Sequence, residues 1–142
     1  AVGRLRATLR VVDLLLELSE LDENGKLIDA EPASTRIESR IPAMVRYIDE
    51  NYAGKISLSG MSATLFIDKY YMCRVFKKAT GLTIIEFINN KRLAEAERML
   101  KGTAKTVTAV AMSVGFNNAS YFTEMFKAKY GMTPGEFRGR PL

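Results

Sequence analysis

The sequence has no histidine, no tryptophan and one cysteine, Cys73. Without histidine the commonest general base is missing, and with it the catalytic triads and most zinc sites. One thiol can close no internal disulfide and cannot build a cysteine-rich metal cage; such usage fits a reducing compartment. There is no glycine-rich phosphate loop followed by Lys-Ser/Thr, no dinucleotide fingerprint and no Ser-x-x-Lys pair. No apolar run approaches the roughly 18 residues that a membrane helix needs. The opening AVGRLRATLR lacks an initiator Met and the apolar stretch of a signal peptide, as expected of a processed chain or an excised fragment. Asn118-Ala119-Ser120 has the spacing of a glycosylation acceptor, a chance match without a secretion route. The expectation is a protein with no cofactor, no metal and no enzymatic activity.

What is present is ordinary in amount and uneven in placement. Of 142 residues 47% are apolar and 26% charged, enough for one cored domain with an extension. Residues 1–55 hold 8 Lys/Arg against 10 Asp/Glu, whereas residues 56–142 hold 13 against 6. The positive charge is therefore confined to the C-terminal part, which suggests a polyanionic partner for that region alone.

The periodicity is helical throughout. Leu5, Leu9, Val12 and Leu16 form one stripe of a helix over 5–21. This helix is a candidate surface for self-association or the edge of a further domain. Asp22-Glu23-Asn24-Gly25 is a turn signal and Asp29–Ser34 a polar linker, so a boundary falls between Leu21 and Thr35. Thr35 and Glu38 have capping-box spacing and open a helix that turns Ile41, Val45 and Ile48 inward and stops near Gly54.

Beyond that point the chain repeats itself. A shift of 50 residues lays Tyr71, Phe76, Lys77, Gly81, Thr83, Glu86 and Phe87 on identical residues, seven matches in 17 positions where chance gives about one. Before Tyr71 the offset is 49, and Leu58, Met61, Leu65 and Ile67 meet Val107, Val110, Val114 and Phe116. Each copy has two short helices joined by a tight turn, which is the helix-turn-helix pattern. In the first, over about 57–81, Ser57 and Asp68 are the caps and Gly81 the stop. Its second helix buries Met72, Val75, Phe76 and Ala79. In the second, over about 106–131, Thr106 caps, Gly115–Asn118 turns, Phe122, Met125 and Phe126 face inward and Gly131 stops. A connecting helix starts at the Thr83–Glu86 capping box and runs over 84–101, and Thr133-Pro134-Gly135-Glu136 opens a last helix. The phenylalanines at 76, 87, 126 and 137 and the methionines read as core.

These residues resemble the AraC/XylS-type bacterial transcription regulators. The likeness rests on Ser-Tyr-Phe-Thr-Glu-Met-Phe-Lys-Ala-Lys-Tyr-Gly-Met-Thr-Pro-Gly-Glu-Phe-Arg at 120–138 and on Val110–Phe116 before it, and it covers about 100 residues from Ile41 to Arg138. It implies an all-α fold: two homeodomain-like helix-turn-helix units joined by a long linker helix, within residues 35–142. Residues 1–34 would be the remnant of a sensing or dimerisation region. The second helix of each unit would enter the major groove of double-stranded DNA. Matched by position, the base-contact candidates are Tyr70, Cys73 and Arg74, then Ser120, Tyr121, Thr123 and Glu124. The phosphate candidates are Lys69, Lys77, Lys78, Asn118 and Lys127. Arg74 suits the O6 and N7 of guanine, because its planar fork can meet both. Glu124 departs from the family pattern, in which this position is often Arg: a carboxylate cannot grip guanine, though it can accept from the amino group of cytosine. The resemblance further implies RNA polymerase as a partner, a homodimer through the N-terminal region, and a cytoplasmic, nucleoid-associated location. Two other classes compete with it: a helical module whose basic face meets an acidic protein or RNA, and a repair enzyme using Cys73 as alkyl acceptor.

Overall fold

The fold is taken from a computed structural model that describes residues 33–140, with side chains from Arg40 onward. The helix expected over 5–21, the linker after it and dimerisation through that region lie outside the described residues. The chain divides into two units at Ile37, and the second, Glu38–Leu142, is the one described below. Among the described residues there are seven helices and no strand: α1 (Ala33–Asn51), α2 (Leu58–Leu65), α3 (Lys69–Thr80), α4 (Ile84–Gly102), α5 (Val107–Ser113), α6 (Ala119–Tyr130) and α7 (Pro134–Arg138).

Local chemistry sets the boundaries. The side chains of Ser57, Asp68, Thr106 and Asn118 accept from the backbone N–H three residues on, at 3.0, 2.9, 3.1 and 3.0 Å. Each satisfies an orphan donor of a helix start. Both expected capping boxes are present, with the carboxylates of Glu86 and Glu136 accepting from the N–H of Thr83 and Thr133 at 2.8 and 2.7 Å. Those bonds, with the threonine hydroxyls, hold both carboxyls below their ordinary pKa. Gly81 and Gly131 stop α3 and α6 at φ 76° and 74°, each donating to the carbonyl four residues back at 2.8 Å.

Burial follows the two copies. The first buries Met61, Ile67, Met72, Val75 and Phe76, and Phe87 near the start of α4 meets Phe76 edge to face at 5.2 Å. In the second, Leu93, Ala96 and Leu100 of α4 join Val110, Val114, Phe116, Phe122 and Phe126 in one cluster, with Tyr130 and Phe137 against it. A single stiff helix thus enters both cores and fixes the two units to one frame.

Several expectations shift. α1 begins at Ala33, so Thr35 lies inside it rather than capping it, and it ends at Asn51; Gly54 closes the following turn by donating to Asn51. From Arg40 onward Met44 and Ile48 are the buried residues of α1, with Ile41 and Val45 half-buried. Ala79 is exposed, because the last turn of α3 runs past the core edge and the buried stripe ends at Phe76. Met112 is also exposed, since Ala111 beside it takes the inward position on the short α5.

The twin turns solve one conformational problem differently. Ile67 donates to Ser62 O at 3.1 Å and Phe116 to Ala111 O at 3.0 Å, the same closure in each copy. The residue before must be left-handed, and it is Phe66 (φ 54°) in one turn and Gly115 (φ 99°) in the other. Phe66 has a side chain that is 92% exposed, so little packing offsets its strain. Phe66→Gly should raise unfolding free energy by about 0.5–1 kcal/mol, the left-handed penalty less the extra freedom of the unfolded chain. A thermal melt checks this, and an unchanged or lower midpoint would contradict it.

Candidate nucleic-acid interface

α3 has two faces. Met72, Val75 and Phe76 are buried, while Tyr70, Arg74, Lys77 and Lys78 are exposed and Lys69 and Cys73 half-buried. Tyr70, Cys73, Arg74, Lys77 and Lys78 line a single groove, so these first-copy candidates come together, whereas Lys69 does not line it. The cations are preorganised by rings: Lys69 Nζ lies 5.2 Å from the Tyr70 centroid and the Arg74 guanidinium 5.6 Å from that of Tyr71. Among the described residues neither these cations nor Lys77 and Lys78 make a salt bridge. By contrast, Lys91 of α4 is 3.1 Å from Asp49, a hydrogen bond that raises its pKa.

α6 gives a sparser face. Ser120, Glu124 and Lys127 are exposed on it, but other candidates are engaged internally. Tyr121 is tilted on Phe116 at 6.0 Å, and its hydroxyl accepts from Asn89 of α4 at 3.3 Å. Asn89 is itself 8% exposed, so this bond occupies a buried amide and ties the start of α6 to the linker helix. The Thr123 hydroxyl donates to Ala119 O at 2.9 Å, and the Asn118 side-chain oxygen caps α6, leaving only its amide N–H to reach outward. Residues 69–80 hold four basic and no acidic side chains; residues 119–130 hold two lysines and Glu124.

Sequence reasoning missed the brace behind these helices. Arg92 of α4 donates from Nε to Tyr52 O at 2.7 Å and from Nη2 to Gly54 O at 2.9 Å, with its guanidinium 5.8 Å from the Phe116 centroid. Burial lowers its pKa. Gly115 stands against the same group: a Cβ there would collide with Tyr52 O and come within 2.8 Å of Arg92 Nε. An arginine amid the apolar pattern of a helix gave no sequence sign of this role. On the far side of the second core Tyr130 is half-buried, and burial pushes its phenol up to about 12.

Among the described residues there is no cluster of His, Cys, Asp or Glu able to hold a metal, and no helix long and apolar enough to cross a membrane.

Comparison with known proteins agrees with this geometry. A family model described as a helix-turn-helix domain matches residues 61–140. The bifunctional transcriptional activator/DNA repair enzyme AdaA of Bacillus subtilis is 37% identical over 98 residues, 69% of this chain and 46% of that protein. A probable AraC family transcriptional regulator from Rhodopseudomonas palustris superposes with a TM-score of 0.66 at 28% identity, covering 72% of this chain and 99% of that one. The DNA-binding domain of the global transcriptional factor AdpA, solved in complex with a target DNA, has the same fold at a TM-score of 0.66. There the identity is 20%, with 69% of this chain and 88% of that one covered. The chain spans less than half the length of AdaA. It belongs to the AraC/XylS-type family of helix-turn-helix regulators.

Proposed function

We propose that this chain is the DNA-binding part of a transcription regulator, acting by recognition and not by catalysis. α3 and α6 enter successive major-groove segments on one face of the duplex, about 34 Å apart for one helical turn. The observation that supports this best is the row of cations on α3, free of salt bridges among the described residues and set opposite a buried apolar stripe. Lys69, Lys77, Lys78 and Lys127 neutralise phosphates and set register, whereas Arg74, Tyr70 and Cys73 face base edges. Through this contact the regulator acts on RNA polymerase in the bacterial cytoplasm, with the region before residue 35 supplying sensing or self-association.

A gel shift with duplex DNA, RNA and a salt series tests the reading. The four phosphate-contacting lysines, three on α3 and Lys127 on α6, predict a slope of log affinity on log salt of roughly −3.5 with duplex DNA. Weak RNA binding is expected, because the A-form major groove is too narrow for these helices. Equal or tighter RNA binding would favour the competing interaction module.

The Glu124 carboxylate on α6 is expected to read cytosine while repelling nearby phosphates. Glu124→Ala should erase a cytosine preference at one position of the selected site, worth about 1–3 kcal/mol. A random-library selection on both proteins checks this. Uniform weakening across all sequences, or no change, would contradict it.

A further inference from the structure

An open groove beside α3 has a volume of ≈ 680 Å³. Its apolar lining comes from three elements: Leu58 on α2, Ile84 and Ile85 on α4, and the ring of Tyr70 on α3. Ile85 and Tyr70 are 47% and 78% exposed, so both present free surface to an occupant. The stems of Arg74, Lys77 and Lys78 close the remaining side and bring their charged ends to its rim, and among the described residues no carboxylate lines the groove. The nearest acid in sequence, Glu86, is turned into the Thr83 capping box by bonds of 2.8 and 2.9 Å.

The duplicated copy is an internal control. At the equivalent positions Tyr70 is replaced by Ser120, Arg74 by Glu124, Lys78 by Ala128 and Ile85 by Gly135. The second copy therefore loses the aromatic wall, the exposed isoleucine and two of three cations together, and puts a carboxylate in their midst. A double helix offers a protein phosphates and base edges, and only thymine methyls as apolar partners. An apolar wall of Leu, Ile and Tyr next to three cations matches a different shape: an apolar body ending in one negative group.

We propose that this groove binds a small amphipathic organic anion, a carboxylate or sulfonate on an apolar body, and that DNA and this ligand exclude one another there. The body lies along Ile85, Leu58 and the Tyr70 ring, and the head meets Arg74 with Lys77 and Lys78. Exclusion rests on the reading of α3 as a DNA-contacting helix, because both ligands then need the same cations. Binding of the anion does not.

The test is a fluorescence titration of the full chain with anilinonaphthalene sulfonate and with its neutral parent, N-phenyl-naphthylamine. One saturable site is expected for the sulfonate, with the neutral dye about tenfold weaker through loss of charge-assisted bonds. Ile85→Ser removes apolar contact and should weaken the sulfonate about fivefold, with helix content unchanged by circular dichroism. Arg74→Glu, which copies the second unit, should weaken it at least as much, while Lys105→Glu outside the groove should not. Equal binding of the two dyes, indifference to Ile85→Ser, or no saturable site would each overturn the proposal. If the sulfonate binds as stated and saturating duplex DNA fails to displace it, the anion site stands and α3 as a DNA helix falls. If a gel shift persists with no sulfonate bound, only the groove proposal falls.

Discussion

Gly115→Ala is expected to cost about 2–5 kcal/mol of stability, summing a left-handed backbone penalty and overpacking against a fixed neighbour. The left-handed φ of 99° is only part of it. The new methyl would run into Tyr52 O and the Arg92 guanidinium, and neither is a free side-chain end. Tyr52 O is held by Arg92 at 2.7 Å, and Arg92 is fixed by its second bond to Gly54 O. Gly81 provides the contrast: it has φ 76° but nothing within 4 Å of an added Cβ, so Gly81→Ala should cost only about 1–2 kcal/mol. Chemical denaturation of both variants measures the difference. Equal losses would mean that the brace yields freely and that φ alone matters. Native domains are stable by only about 5–15 kcal/mol, so Gly115→Ala could leave much of the chain unfolded at growth temperature.

Arg74→Ala is expected to weaken binding to the selected DNA site by about 1–3 kcal/mol, roughly five- to hundredfold, and to relax the preference for guanine at one position. Arg74→Lys should not restore that preference, because an ammonium cannot present two parallel donors to O6 and N7. Lys77→Ala should behave differently, weakening all sequences alike and reducing the salt slope by about 1. A binding series over mutated sites and salt concentrations separates the two. If Arg74→Ala weakened every site equally, Arg74 would be a phosphate contact.

Much of the fold was legible in the sequence because the relevant signals are local. Ser57, Asp68, Thr106 and the boxes at Thr83 and Thr133 cap within three residues of themselves, and every one appears. Gly81 and Gly131 were equally readable, as glycine at a helix end is a conformational statement. The start of α1 was not, since Thr35 has capping spacing but the chain is already helical there. Ala79 was misplaced because periodicity gives the angle of a residue around the helix but not where along it the core stops, and Met112 because methionines were read as core by type while Ala111 holds the inward angle of α5. For the candidate site, Tyr70, Arg74, Lys77 and Lys78 were found by matching positions and lie together. Tyr121 and Thr123 were found by the same rule, yet their hydroxyls are taken by Asn89 and Ala119, contacts that no one-dimensional pattern encodes. The Arg92 brace joins residues about 40 positions apart, and Phe66 hides a left-handed backbone under an unremarkable side chain.

The brace has a consequence for how the molecule can be cut. Sequence repetition suggests two interchangeable cassettes, with a natural scissor line just ahead of Thr106. Yet a half-buried guanidinium in α4 finds its acceptors at Tyr52 and Gly54, and the turn of the later cassette rests on the first of them. A fragment starting after Ile56 would take both acceptors from Arg92 and the backing carbonyl from Gly115. The shortest piece that keeps this brace therefore begins upstream of the first cassette.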